Sequence, residues 1–169
     1  DDHPPAAQPR HRAVARLSLF WEARHPGGPQ LCAKRDVNRA FKWHTVSPDD
    51  VDDFGTRLPG EPVGVAGDVV IIHCVLTFGW TGSPGEYMVF AWAVKWAHAS
   101  FRPPRPEWND TVAFASKWLM DDGVVLEPSV GLRPWLSMDV LEHCMLRVWG
   151  PDTINEDKKS DCLLYTSPS

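Results

Sequence analysis

The sequence predicts an α+β domain: a sheet with helices packed on one face. Three observations predict it. Residues 11–24 and 137–149 carry apolar side chains at helical spacing, and residues 84–99 are apolar nearly all round after a Ser-Pro start. Strand-like runs occupy residues 30–37, 68–78, 111–119 and 123–127. The last two runs are separated only by Met120-Asp121-Asp122, a tight turn between neighbouring strands. No internal repeat is present.

Taken in order, residues 11–24 form a helix whose broad apolar face holds Val14, Ala15, Leu17, Leu19 and Trp21. His25-Pro26-Gly27-Gly28-Pro29 breaks it, and residues 30–37 follow as a short strand. Ser47-Pro48-Asp49-Asp50 reads as a helix start, with Val51, Phe54 and Leu58 at helical spacing behind it. Residues 68–78 are β-branched and almost wholly apolar, which predicts a buried strand. Ser83 and Glu86 have the spacing of a capping box, and the helix they open, about 84–99, is expected to be central and buried. A proline-rich loop at 102–106 ends it, and Gly150-Pro151 closes the helix at 137–149.

The length of 169 residues suits one domain with a sizeable core, and 43% hydrophobic with 23% charged residues is ordinary for a soluble chain. Nine tryptophans imply large buried aromatic contacts. A formal charge of −5 speaks against binding nucleic acid through a broad basic surface, unless the acidic residues gather around metal ions. Cys32, Cys74, Cys144 and Cys162 lack CxxC spacing, so they read as free thiols of a reducing, intracellular compartment. No apolar run reaches the roughly 18 residues of a membrane span. Residues 1–10 are expected to be a disordered or truncated segment, and residues 11–160 the folded domain. Residues 161–169 (DCLLYTSPS) resemble a translated cloning-adaptor sequence and are expected to pack against nothing.

Alone, Asp121-Asp122-Gly123 is the composition of a solvated turn. Between two apolar strands, however, such a turn projects carboxylates from a rigid platform, and divalent cations prefer oxygen ligands. Asp36, at the end of the strand 30–37, is the second acidic position; an ordinary salt bridge with Lys34 or Arg35 is its simpler role. Phosphoryl transfer needs carboxylates that converge from different elements on two metal ions.

These positions carry a resemblance. Asp36-Val37-Asn38-Arg39-Ala40-Phe41 resembles the first palm motif of reverse transcriptases, and Phe78-Gly79-Trp80-Thr81-Gly82-Ser83-Pro84 resembles the second. Leu119-Met120-Asp121-Asp122 is similar to the third, and the three stand in the family's order over residues 30–159. The resemblance implies that residues 11–160 are part of the fingers with the palm of a polymerase of retrotransposon type, an antiparallel sheet with helices on one face. It implies an RNA-directed DNA polymerase acting on an RNA or DNA template with primer and a dNTP. Asp36 and Asp121 would ligate two Mg2+ ions, with Mn2+ as a substitute, and Asp122 would assist beside them. Phe41 would be a steric gate against a ribose 2′-OH, while Gly79 and Ser83 would allow close approach of nucleotide and template. Lys158 or Lys159 would stand where the fourth motif carries a lysine near the triphosphate. The chain departs from the family at Thr77-Phe78, where many members have Pro-Gln, and at Leu119, where an aromatic is commoner. Fingers, thumb and any RNase H or integrase region would belong to other parts of the polyprotein, so this piece alone is expected to be inactive.

Competing readings are weaker. Asp49, Asp50, Asp52 and Asp53 miss the EF-hand spacing and suit a helix start, and no histidines are paired at zinc-ligand spacing. A hydrolase using Ser83 fails the nucleophile-elbow pattern because residue 81 is Thr. A decayed palm serving as an interaction module, and a viral RNA-dependent RNA polymerase, remain as alternatives; Met120 and Phe41 favour DNA synthesis over the latter.

Overall fold

The computed structural model describes residues 3–7, 9, 12–105 and 110–165, with side chains as far as residue 161. Its fold is mixed α+β. A helix, α1 (Arg12–Arg24), leads into strand β1 (Gln30–Asp36). A separate hairpin follows, β2 (Gly55–Pro59) with β3 (Asp68–Ile72), and then helix α2 (Ser83–Ala99). Strands β4 (Ser116–Leu119) and β5 (Asp122–Pro128), helix α3 (Arg133–Trp149) and strand β6 (Ser160–Tyr165) complete the order. The main sheet runs β4-β5-β1-β6, and its neighbours are antiparallel. Among the described residues no helix is long and apolar enough to cross a membrane.

Alternation along the strands decides which side of this sheet is covered. Ala33, Val37, Val125 and Trp118 meet Tyr87, Met88, Ala91 and Val94 of α2 and Leu141, Cys144, Met145 and Trp149 of α3 in one buried cluster. Tyr87 stacks on Trp149 with ring centroids 5.7 Å apart. Apolar burial of this extent is the main driving force of the fold. Beside it lies a polar network that the apolar pattern could not announce. Arg133, fully buried, donates from Nε to Glu127 Oε2 at 2.6 Å and from Nη1 to the carbonyls of Val112 and Asp110 at 2.7 and 2.9 Å. Its guanidinium lies 4.5 Å from the Trp21 ring, and Ser137 donates to Glu127 Oε1 at 2.8 Å. Burial pushes the Glu127 carboxyl up to about 7, against the pull of Arg133 and Ser137. Burial likewise drives the His98 imidazole down to about 4.

Several local expectations change. The run 68–78 yields only the five residues of β3, and Val70, Ile71 and Ile72 are exposed. β-branched residues favour strand geometry, but here the strand pairs with β2 outside the main sheet, and its composition does not bring burial. The helix expected after Ser47 is a 3₁₀ turn at Val51–Phe54, and Leu58 belongs to β2. Ser47 Oγ accepts the amide of Asp49, two residues on, at 3.3 Å; such a local turn competes with a helical start. No capping box forms: Ser83 donates to the Thr77 carbonyl at 2.7 Å, and Glu86 pairs with His3 at 3.1 Å. Helix α2 is buried on one side only, with Val89, Phe90 and Trp96 exposed, because the sheet and α3 meet a single face. On α1 only Trp21 is buried, and Leu19 and Phe20 face outward.

The two ends differ as well. Of the segment 1–10, His3 meets the Trp80 ring edge-on at 4.7 Å, while residues 1, 2, 8 and 10 lie outside the described residues, as do 11 and 106–109. Residues 161–165, expected to pack against nothing, are paired instead. Leu163, Leu164 and Tyr165 register against Cys32, Leu31 and Gln30, and Asp161 lies 2.6 Å from Arg35. An open edge of β1 offers unpaired backbone groups, and an apolar segment satisfies them whatever its origin. Residues 166–169 lie outside the described residues.

Candidate metal centre

The centre is built by register. β1 and β5 pair with Asp36 opposite Asp122, and residues opposite each other in a ladder project from the same face. Lys34, two residues before Asp36, shares that face, while Ala33 and Val37 point into the core. The β4–β5 hairpin turns through Met120 and Asp121, with Leu119 registered on Asp122. Met120 supplies the left-handed residue of the turn, at φ 55°. Gly123 is needed for space, since a Cβ there would come within 2.9 Å of the Trp118 ring. The amide of Val37 donates to the Asp121 carbonyl at 2.9 Å and ties the hairpin tip to β1.

This brings Asp36, Asp121 and Asp122 together, with one ligand oxygen from each lying within 4.8 Å of the others. Their surroundings are unequal. Asp36 is buried; Asn155 Nδ2 donates to its Oδ1 at 2.9 Å, and Lys158 Nζ stands 3.4 Å from its Oδ2. Asp122 Oδ1 is held by Lys34 Nζ at 2.7 Å. Burial raises the Asp122 carboxyl above its ordinary range, with Asp121 and Asp36 adding to the rise and Lys34 opposing it. The pairing with Asp122 in turn raises Lys34. Three crowded carboxylates that two lysines only partly neutralise are a fitting donor set for a hard divalent cation. Among the described residues no other His, Cys, Asp and Glu group is arranged to hold a metal, so Asp49, Asp50, Asp52 and Asp53 form no such centre.

A cleft of ≈ 680 Å³ opens in front of Asp36 and Asp121, lined also by Arg39, Phe41, Phe78 and Lys158. Phe41 sits in a 3₁₀ turn, Ala40–Trp43, that follows a left-handed Arg39 at φ 56°. Its ring is largely buried and lies edge-on to Phe78 at 4.9 Å and to Tyr87 at 5.5 Å. Lys158 reaches Asp36 from a 3₁₀ turn, Glu156–Lys158, whereas Lys159 pairs with Glu142 at 3.0 Å. That separates the two lysines: only Lys158 lines the cleft. Gly79 and Ser83 do not line it. Gly79 holds a positive φ of 97° in the loop before α2. Ser83 is buried with its hydroxyl committed to the Thr77 carbonyl, which leaves it unsuited to nucleophilic attack.

Sequence reasoning missed Asn155, which also donates its amide to the Asp36 carbonyl at 3.0 Å, and nothing local marks it. It took Lys34 only as a neighbour of Asp36; the period of two along β1 was the signal that places both on one face. No family model matches the chain, and no curated protein matches it significantly.

Proposed function

We propose that this chain is the palm of a reverse transcriptase of retrotransposon type, an RNA-directed DNA polymerase. The observation that carries the reading is the convergence of Asp36, from the first motif-like segment, with Asp121 and Asp122, from the third, where Asp36 and Asp121 line one cleft. Carboxylates remote in sequence gather there from paired strands and a hairpin tip, as two-metal phosphoryl transfer needs. Phe41, from the same segment as Asp36, lines the same cleft, as does Lys158.

On this reading Asp36 and Asp121 hold Mg2+, or Mn2+ in its stead, and Asp122 assists. When bound, a pair of such ions supplies charge neutralisation at the attacking 3′-oxygen of the primer and at the leaving pyrophosphate. Asn155 orients Asp36 through its side chain and its amide, so the carboxylate is presented in one rotamer. The Phe41 ring excludes a 2′-OH by shape, backed edge-on by Tyr87. Lys158 supplies positive charge, and a proton, on the triphosphate side. Template with primer, dNTP and the fingers and thumb of the same polyprotein are the partners.

The steric gate gives the test. In the polymerase completed with fingers and thumb, Phe41→Ala is expected to raise ribonucleotide relative to deoxynucleotide incorporation by roughly tenfold or more, since a methylene-sized difference in a pocket is worth about that much. Because Phe41 also packs on Tyr87, the variant is expected to lose about 3 kcal/mol of stability. The ratio, measured on the folded fraction, is insensitive to that loss. An unchanged ratio would reject the gate.

A further inference from the structure

We infer that Lys34 is a positioning residue that keeps Asp122 out of direct metal contact, so that Asp36 and Asp121 are the pair presented to the cation. The inference rests on the proposed metal-binding role of the centre.

All three carboxylates are close enough to share one ion. Their non-metal partners nevertheless divide them. Asp121 has no side-chain hydrogen bond or ion pair among the described residues, so its oxygens are open to a ligand. Asp36 has one oxygen bound by the amide of Asn155, and its contact with Lys158 is long at 3.4 Å and comes from a largely exposed side chain. Asp122 differs: its Oδ1 has no hydrogen-bond partner and is held by charge alone, with Lys34 Nζ at 2.7 Å, the shortest contact in the centre and one between two half-buried side chains. The pairing is also built into the sheet. Lys34 registers on Val124 and Asp36 on Asp122, so the lysine sits diagonally across the ladder from Asp122 on the same face. At that diagonal spacing a long side chain reaches its partner without leaving the strand's preferred geometry. Lys158, carried by a short turn, has no comparable anchoring.

Removing Lys34 therefore frees a third carboxylate, and cation affinity rises with the number of charged ligands. In the folded chain, Mn2+ binding followed by the loss of the free-ion EPR signal is expected to tighten about tenfold in Lys34→Met. Lys34→Arg, which keeps a cation on Asp122, is expected to stay within about twofold of wild type. In an Asp122→Asn background Lys34→Met is expected to change the affinity by about twofold or less, because the carboxylate it would release is gone. An equal tenfold gain in that background would reduce Lys34 to a simple repulsive charge and overturn the positioning role. Unchanged or weaker binding in Lys34→Met, with wild-type binding intact and abolished by Asp121→Asn, would overturn this inference alone. Wild-type binding that ignores Asp121→Asn would overturn the metal reading with it.

Discussion

On the proposed polymerase function, Asp121→Asn is expected to lower primer extension by the completed protein by roughly three orders of magnitude or more, for deoxynucleotides and ribonucleotides alike. The substitution keeps shape and removes a charged oxygen ligand, so its effect is on metal binding and not on the geometry of the cleft. Stability is expected to move the other way. The Asp121 side chain makes no ion pair among the described residues and lies against two further carboxylates, so neutralising it relieves repulsion. The melting temperature should be unchanged or slightly higher. Asp36→Asn cannot separate the two effects so cleanly, since Asp36 is buried and accepts from Asn155 and Lys158. Primer-extension rates and melting curves of the two variants side by side make the comparison. Residual synthesis within about tenfold of wild type in Asp121→Asn would remove the carboxylate from the catalytic role.

The largest loss of stability is expected far from the cleft, at Arg133. Arg133→Met deletes the guanidinium that faces Glu127, a carboxylate 1% exposed, and leaves the acid without its charge partner. Breaking a buried pair in this way costs about 3–5 kcal/mol where the carboxylate is charged. The cost depends on pH with a definite sign. In the folded protein burial pushes the Glu127 carboxyl up to about 7, above the 4.5 of a glutamate in water, so the folded state holds a proton that the unfolded chain releases between those values. Stability from this group is therefore present at low pH and is lost as pH rises through the window. Without Arg133 the carboxyl moves further up, the deficit is greatest above pH 7, and it shrinks towards pH 5 as Glu127 protonates. His98, held near 4, contributes the opposite slope as pH falls below 6.5. The quantity to follow is accordingly the difference between variant and wild type in urea unfolding at pH 5, 7 and 8. A deficit that is the same at all three would mean that Glu127 is not left as a buried charge.

What was legible in the sequence was mostly local. The helices at 12–24 and 83–99, the strand ending at Asp36 and the turn around Met120-Asp121-Asp122 all follow from periodicity and breakers within a few residues. The acidic pair and Asp36 could be linked through motif order alone, without knowing that the two strands pair. Burial was read less well. The run from Val69 to Ile72 has the composition of a core strand, yet it lies in a hairpin outside the main sheet, and no one-dimensional pattern distinguishes those placements. Gly123 looked like a turn residue; it is a strand residue that makes room for Trp118, while Met120 takes the left-handed conformation. The Arg133–Glu127 pair and Asn155 were invisible for a common reason. Their partners are set by tertiary contacts, and a single charged or amide residue on a helix or loop carries no mark of whom it will meet.

The alternation along β1 has a consequence for how this chain tolerates insertions and deletions. Odd-numbered Ala33 and Arg35 are buried towards the helices, and Lys34 and Asp36 stand on the opposite face. A gain or loss of one residue between Leu31 and Arg35 would exchange the two sets, turning the carboxylate inward and the apolar side chains out. Two-residue changes would preserve the faces and alter only the reach of the strand. Length variation in this segment is therefore expected to be tolerated in steps of two, and a single-codon indel should act as a double lesion that breaks up the carboxylate cluster and the core together.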